Sequence, residues 1–424
     1  MSKLALNGGE KAIKTPKPHE DWPITTEREI EAVKEYLESG GQKSFYGHGD
    51  LFKEFEEEFS EYHDGEQDAI LTNTGTSALN SAYFGVGLEP GDEVITPSYT
   101  FLATVSPILQ NRAVPRFADS LERNGNIDPE SVKEQVNSDT EAIAVTHMWG
   151  HPVEIDAIMD IAEDNDLKVI EDCSHAHGAE YNGKKVGTFG DAAAFSLGST
   201  KIVSGGELGI LLTQDDEIYD RASVLGHFRK RADETVKSDF YQQFTDFGYG
   251  QNYRPHPLAV VMAREQFDNM DEWINSRKEN LQHLTDGLED VPGVKPPVTD
   301  ENVDRGAFYG YKPEFVPEDF DGEIDLETYI EALQAEGMKV KRPGSKPLHT
   351  LEFFQTYNDG LFGRNEVPEW WRENKNIYAE GDFPGAESYF ENRLSLPTFT
   401  LEDRDVVDEY INAFQKVYDN RGEL

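Results

Sequence analysis

The sequence predicts an α/β protein built on a mainly parallel sheet with helices on both faces. Three observations carry that reading. Short apolar runs of strand length recur between about residues 69 and 213, and helical stretches lie between them, which is the pattern of βαβ units. The runs read as buried strands. A segment with three prolines, VPGVKPPVTD (291–300), then breaks the series, and a second, smaller α/β region follows.

The elements follow in order. Residues 51–62 place Phe52, Phe55, Phe59 and Tyr62 at helical spacing with glutamates on the other face. AILT (69–72), EVITP (93–97), AVPRF (113–117), AIAVT (142–146) and LKVIED (167–172) read as strands. Helices are expected near 76–86, 100–110, 129–136 and 154–164. The third of these opens with Asp128-Pro129, a capping residue followed by proline at the first helical position. AAAFSL (192–197) and LGILLT (208–213) continue the strands, and after PHPLAVVMAREQF (255–267) a long helical stretch runs toward residue 289. The amphipathic DRDVVDEYINAFQKVY (403–418) closes the chain's pattern. We therefore expect a large domain over residues 1–265 with an N-terminal arm, a linking helix over 266–290 and a small C-terminal domain over 291–424.

Composition bounds the function. Lys and Arg number 39 and Asp and Glu 82, a formal charge of −43 over 424 residues. Binding to a phosphate backbone needs clustered cations, so a nucleic-acid partner is excluded and an anionic membrane surface disfavoured. An acidic surface spread along the whole chain fits adaptation to high salt, where screening suppresses self-repulsion. The single cysteine, Cys173, excludes internal disulfides and cysteine-based metal clusters and fits a reducing cytosol. MSKLALNGGEKAIK has no apolar signal core, and the longest apolar run, LAVVMA (258–263), is far short of a membrane span. A soluble cytoplasmic protein is expected.

In sheets of this type ligands bind at the carboxyl ends of the strands, and three motifs lie there. LTNTGTSAL (71–79) runs from a strand through a Gly/Thr/Ser turn into a helix, where free N–H groups and hydroxyls suit a phosphate. Alone it reads rather as an ordinary capped turn, and it lacks the Walker and dinucleotide glycine patterns. VIEDCSHAHGAEY (169–181) ends an apolar strand on Asp172, a carboxylate able to hold a charged ring nitrogen. His175 and His177 without further ligands are weak for zinc, so no metal site is expected. FSLGSTKIVSGGELG (195–209) puts Lys201 in a Gly-rich loop between apolar strands, where a desolvated amine becomes nucleophilic toward aldehydes. Phosphate cradle, pyridinium partner and carbonyl-condensing lysine together are what pyridoxal 5′-phosphate demands of a protein.

TNTGTSAL, EVITPSYTFLAT, THMWGHPVEIDAI, VIEDCSHAHGA, GTFGDAAAFSLGSTK, GQNYR and SLPTFTLEDRDVV resemble, in this order over roughly residues 4–418, the DegT/StrS family of pyridoxal-phosphate-dependent sugar and cyclitol aminotransferases. The resemblance implies the fold type I architecture of aspartate aminotransferase and a homodimer with active sites at the interface. It implies that Lys201 holds the cofactor covalently, that Asp172 pairs with the pyridine nitrogen and that Phe101 stacks on the ring. Gly75, Thr76, Ser77 and Ser196 match phosphate-binding positions, and Asn252 matches an asparagine that reaches the neighbouring subunit's cofactor phosphate. His175 stands where the family has Gln or His, near the ring hydroxyl.

Two departures are visible: Leu208 stands where glycine is usual, and PHP follows Arg254. A sister group of sugar dehydratases carries histidine in place of the lysine, so Lys201 favours amino transfer. The implied reaction moves an amino group from glutamate or glutamine to the ketone of a nucleotide-linked keto-sugar or a keto-cyclitol. LALNGGEKAI and LGHFRKR (225–231) look more like the cyclitol branch. For a diphosphate, the cations Arg229, Lys230, Arg231, Lys339, Lys341, Arg342 and Lys346 are candidates. The alternative is a regulatory or sugar-nucleotide-binding homologue without turnover, against which the intact Lys201, Asp172 and Phe101 argue.

Overall fold

A computed structural model describes residues 3–19, 22–41, 47–322, 324–356 and 377–424. Its centre is a seven-stranded sheet of β1 (Asp68–Thr72), β2 (Glu93–Pro97), β3 (Val114–Ala118), β4 (Thr140–Thr146), β5 (Lys168–Asp172), β6 (Ala192–Ser196) and β7 (Gly209–Thr213). The strand order is β1-β7-β6-β5-β4-β2-β3. β7 pairs antiparallel with both β1 and β6, and all other pairings are parallel, so six strands point one way. The seven strands fall within about two residues of their sequence-predicted bounds, because each is a dense apolar run with no competing helical period.

Alternation along the strands feeds two cores. Ile70 and Leu211 face a cluster with Ala78, Leu79, Ala82 and Tyr83 of the helix α3 (Gly75–Gly85). Their neighbours Leu71, Ile210 and Leu212 face Phe52, Phe55 and Phe59 of α2 (Asp50–Tyr62), which follows α1 (Glu27–Glu38). Burial on both faces makes the middles of these strands, Ala69–Leu71 and Ile210–Leu212, apolar without a break. The crossovers α4 (Leu102–Gln110), α5 (Pro129–Gln135) and α6 (Ile155–Asn165) occupy the β2–β3, β3–β4 and β4–β5 connections, and α7 (Asp216–Gly226) follows β7. Asp128 caps α5 as its sequence predicts, accepting from the Glu130 N–H at 3.0 Å.

The long helix expected over 266–290 is α9 (Met270–Leu288), parted at Asp268–Asn269 from the helix before it, α8 (Pro257–Phe267). Met270, Trp273 and Ile274 of α9 join the core under α2, whereas Leu281, Leu284 and Leu288 join a second core. That second core also gathers Leu4 and Ile13, α10 (Leu326–Ala335) and α11 (Arg404–Asp419). Strand content beyond residue 290 is thinner than expected. Val294–Lys295 pairs with Glu314–Phe315, while Val303–Asp304 pairs back onto Glu180–Tyr181. No helix among the described residues is long and apolar enough to cross a membrane.

Candidate active site

The carboxyl ends of β1, β4, β5 and β6 converge on a cavity of about 380 Å³, a size typical of small-molecule sites. The phosphate-turn motif forms one wall. After β1 the chain turns at Asn73, and Thr74 caps α3 by accepting from the Ser77 N–H at 3.0 Å. Gly75 and Thr76 line the cavity, with Ser196 opposite. A Cβ on Gly75 would lie 2.7 Å from Ser196 Cβ, and one on Gly209 would lie 2.4 Å from the Thr74 carbonyl carbon. The two strand ends therefore close up only with glycine there. Ser77 is not on the cavity wall. Its hydroxyl donates to Asn73 Oδ1 at 2.6 Å, inside the cap.

Asp172, at the end of β5, is buried and held on both oxygens. Thr104 Oγ1 donates to Oδ2 at 2.7 Å and the Ser174 N–H donates to Oδ1 at 3.1 Å. Thr104 belongs to a buried hydroxyl cluster with Thr100 and Thr146, with separations of 2.9 to 3.2 Å. Each carboxylate oxygen keeps lone-pair capacity for a further donor. Phe101 caps α4 without a side-chain hydrogen bond and stands 51% exposed on the cavity rim, so one ring face is open.

Lys201 is only 8% exposed. Its Nζ forms no ion pair among the described residues and lies 4.0 Å from the Tyr309 ring centroid. Burial lowers its pKa from the usual lysine value, opposed in part by Tyr309 and Asp172. The backbone is fixed on the far side, where Trp22 Nε1 donates to the Lys201 carbonyl at 2.9 Å. His175 lies against Tyr309, with centroids 4.1 Å apart, and against Trp149, 5.2 Å away, both within 12° of parallel, and the Trp149 and Tyr309 rings are themselves 6.2 Å apart. Burial drives its pKa well below the usual histidine value, with Lys201 and Lys312 adding to the effect, and its Nδ1 is buried without a partner.

Seven sequence-predicted residues thus meet on one cavity: Gly75, Thr76, Phe101, Asp172, His175, Ser196 and Lys201. Ser77 and Asn252 do not line it. Asn252 is exposed, and its carbonyl accepts from Asn73 Nδ2 at 3.2 Å beside the phosphate turn. Leu208, one of the departures, is fully buried in the core under α2 and leaves the cavity unchanged. Of the candidate diphosphate cations, Arg231 is committed to both oxygens of Glu56 at 2.7 and 2.8 Å, and Arg342 pairs with Glu327.

Sequence reasoning missed Tyr309, Trp149 and the threonine cluster behind Asp172. Trp149 does carry a local mark, a positive φ of 56° just before Gly150. His147, Glu171 and Cys173 group closely enough to suggest a metal site. Glu171, however, is spent on His147 and on the N–H groups of Gly187, Phe189 and Gly190 at 2.8 to 3.1 Å. Those donors outweigh the burial that works against its charge and hold its pKa below the usual value.

The donor set fits pyridoxal 5′-phosphate. Gly75 and Ser196 form a cradle that a Cβ would fill, the buried Nδ1 of His175 lacks a partner, Asp172 has spare acceptor capacity and Lys201 is a buried amine with no ion-pair partner among the described residues. Comparison with known proteins agrees. Residues 23–415 match the model of the DegT/DnrJ/EryC1/StrS aminotransferase family. The spore coat polysaccharide biosynthesis protein SpsC of Bacillus subtilis is 31% identical, over 93% of this chain and 95% of that one. The L-glutamine:scyllo-inosose aminotransferase of Streptomyces griseus is 28% identical, over 100% and 99%. The solved aminotransferase from Psychrobacter cryohalolentis is 27% identical and superposes with a TM-score of 0.81, over 95% and 99%. The chain therefore belongs to the DegT/DnrJ/EryC1/StrS family and is a pyridoxal-phosphate-dependent aminotransferase with the fold of that enzyme class.

Proposed function

We propose that the protein transfers an amino group from L-glutamine or L-glutamate to the ketone of a cyclitol or of a nucleotide-linked sugar. The observation that carries the proposal is the pairing of Lys201 and Asp172 across one cavity, the first unpaired and desolvated, the second fixed by Thr104. Bound pyridoxal phosphate supplies a ring that withdraws electrons from the donor's α-carbon. Asp172 holds the ring nitrogen protonated, because a buried carboxylate favours a cation beside it. Phe101 and His175 would lie beside the ring, Gly75, Thr76 and Ser196 would hold the phosphate, and Ser77 would act through the cap of α3.

With pyridoxal phosphate bound, Lys201 would anchor it, and the lysine amine would remove the donor's α proton as a general base. Its lowered pKa leaves more of the amine neutral at ordinary pH, which that role requires. Asn252 is exposed beside the phosphate turn, consistent with service to a second subunit's cofactor in a homodimer. The acidic exterior belongs to a cytoplasmic enzyme working in high salt, and the two cores on α9 correspond to a large and a small domain. A scyllo-inosose aminotransferase among the relatives supports the cyclitol acceptor and L-glutamine as donor.

The test is cofactor uptake followed by an acceptor screen at molar salt. Purified protein should carry a visible absorption band that Lys201→Ala lacks, and should aminate keto-cyclitols in preference to nucleotide-linked keto-sugars. A wild-type protein that takes up no cofactor when it is supplied in excess would overturn the reading.

A further inference from the structure

The free amine of Lys201 rests against a ring and not against an acid. Its Nζ lies 4.0 Å from the centroid of Tyr309. Asp172 and Glu207 line the same cavity, yet neither forms an ion pair with this amine among the described residues. Tyr309 is held in turn. Its ring lies within 12° of parallel to His175 at 4.1 Å between centroids, and within 5° of parallel to Trp149 at 6.2 Å. Its hydroxyl is 3.0 Å from Oγ1 of Thr200, the residue next to the lysine. The lysine backbone is fixed as well, its N–H donating to the Gly198 carbonyl at 2.9 Å and its carbonyl accepting from Trp22. Both ends of the contact between amine and ring are thus set by the fold.

The chemistry of the lysine gives that contact a use. A general base must be neutral before it acts and becomes a cation when it has acted. When Lys201 takes the donor's α proton, the C–H bond breaks, an N–H bond forms on Nζ, and the electron pair left on carbon is drawn into the bound cofactor. A carboxylate beside the amine would favour the ammonium and keep the proton there. Burial alone penalises the ammonium and lowers the Lys201 pKa, and Tyr309 leads the groups that oppose this. A ring face lies between these extremes. Its π electrons attract an ammonium without neutralising it, and the same face packs against the neutral amine.

We propose that Tyr309 is a positioning residue for Lys201, its ring face being the seat that the lysine amine takes whenever it is free of the cofactor. The proposal rests on the aminotransferase reading and deepens it by fixing where the general base waits and where its proton is held. Charged and titratable groups face the amine from several elements: Asp172 and Glu207 on the cavity wall, His175 and His177 after β5, and Arg277 beside Tyr309 in the next cavity. Burial keeps both histidines neutral at ordinary pH. The charged groups left to act on the amine are therefore the two acids and the arginine, and a change confined to the ring leaves all three in place.

The test keeps the shape of residue 309 and drains the charge of its ring. Tyr309→Phe, followed by successively more fluorinated phenylalanines at the same position, weakens the attraction for a cation with little change in size. On the cofactor-free chain, competitive labelling of Lys201 with acetic anhydride, read by peptide mass spectrometry, gives the pH midpoint of the amine. That midpoint should fall along the series by about one pH unit in all. On the holoenzyme, the single-turnover rate of the donor half-reaction should fall about threefold to tenfold along the same series, with the half-saturating L-glutamine concentration within about twofold of wild type. Tyr309→Phe by itself should keep both readouts close to wild type, because the face remains. The proposal is overturned if either readout stays level as fluorine is added, or if Tyr309→Phe alone abolishes the donor reaction. A wild type with no donor reaction would sink the aminotransferase reading instead, and the midpoint on the cofactor-free chain would then decide the seat by itself.

Discussion

The cavity beneath α2 and the cavity at the strand ends both bury cations, but only the first supplies its own counter-charge. Beneath α2, a space of about 510 Å³ is lined by Asp50, Glu56, Glu57, Glu61 and Glu234 around the buried Arg231. Glu56 meets Arg231 on both oxygens and also accepts from the Leu71 N–H at 2.6 Å, so the pair is neutral and hydrogen-bonded. At the strand ends Lys201 has no acid within ion-pair distance, although Asp172 and Glu207 are on the same wall. A buried pair that is satisfied internally has little left to offer a ligand. A buried cation left unsatisfied holds binding energy in reserve. On this comparison the larger of the two cavities is structural and the smaller one is the working site.

The largest effect should come from removing charge at the working site. Lys201→Ala should lower amino transfer by about 10²–10⁴-fold or more, since it removes the proposed anchor and general base together. The same change deletes an uncompensated buried charge, so the melting temperature of the cofactor-free protein should hold or rise. The two readouts must separate for the comparison to stand. The opposite pattern is expected beneath α2. Glu56→Gln leaves the Arg231 charge buried without its partner and should cost about 3–5 kcal/mol of stability, read from urea midpoints, while the folded fraction keeps the wild-type turnover number.

Acid should act on the buried neutral bases. Burial pushes His63 and His151 down to about 4 and His177 to about 3. Below pH 6.5 the unfolded chain binds protons at these positions and the folded chain does not. Stability is therefore full above pH 6.5 and is lost as pH falls toward 4, by about 1.4 kcal/mol per histidine per pH unit. Urea midpoints at pH 7.5, 6 and 5 should fall progressively, and a midpoint that is flat over this range would contradict the burial of these rings as neutral groups. Salt should have the smallest effect. The proposed phosphate cradle draws on N–H groups and hydroxyls at Gly75, Thr76 and Ser196, so cofactor affinity should change little between low and molar salt.

Much of the sheet and part of the site were legible in the sequence because each is encoded locally. A doubly buried strand carries an apolar run through its middle, so β1, β2 and β4 to β7 mark themselves, and the polar residues at or past their ends mark the cavity. Asp172 and Lys201 stand out for that reason. What was not legible depends on distant segments meeting. Tyr309 lies in GAFYGYK (306–312), a stretch with no chemical signature, and becomes part of the site only because it stacks on His175. Arg231 and Arg342 read as free cations until folding brings Glu56 and Glu327 to them. Ser77 looks like a phosphate ligand by its neighbours, yet the cap geometry turns its hydroxyl to Asn73. Chain order can place a residue at a strand end, but only packing decides which way its side chain is spent.

The most direct test of the account is a single-turnover assay of the donor half-reaction. Holoenzyme is mixed with excess L-glutamine and no acceptor, and the released 2-oxo acid is quantified against protein. About one equivalent per subunit is predicted for wild type, a normal yield for Glu56→Gln at temperatures where it remains folded, and none for Lys201→Ala. A wild-type yield of zero, or a Lys201→Ala yield equal to the wild type's, would contradict it.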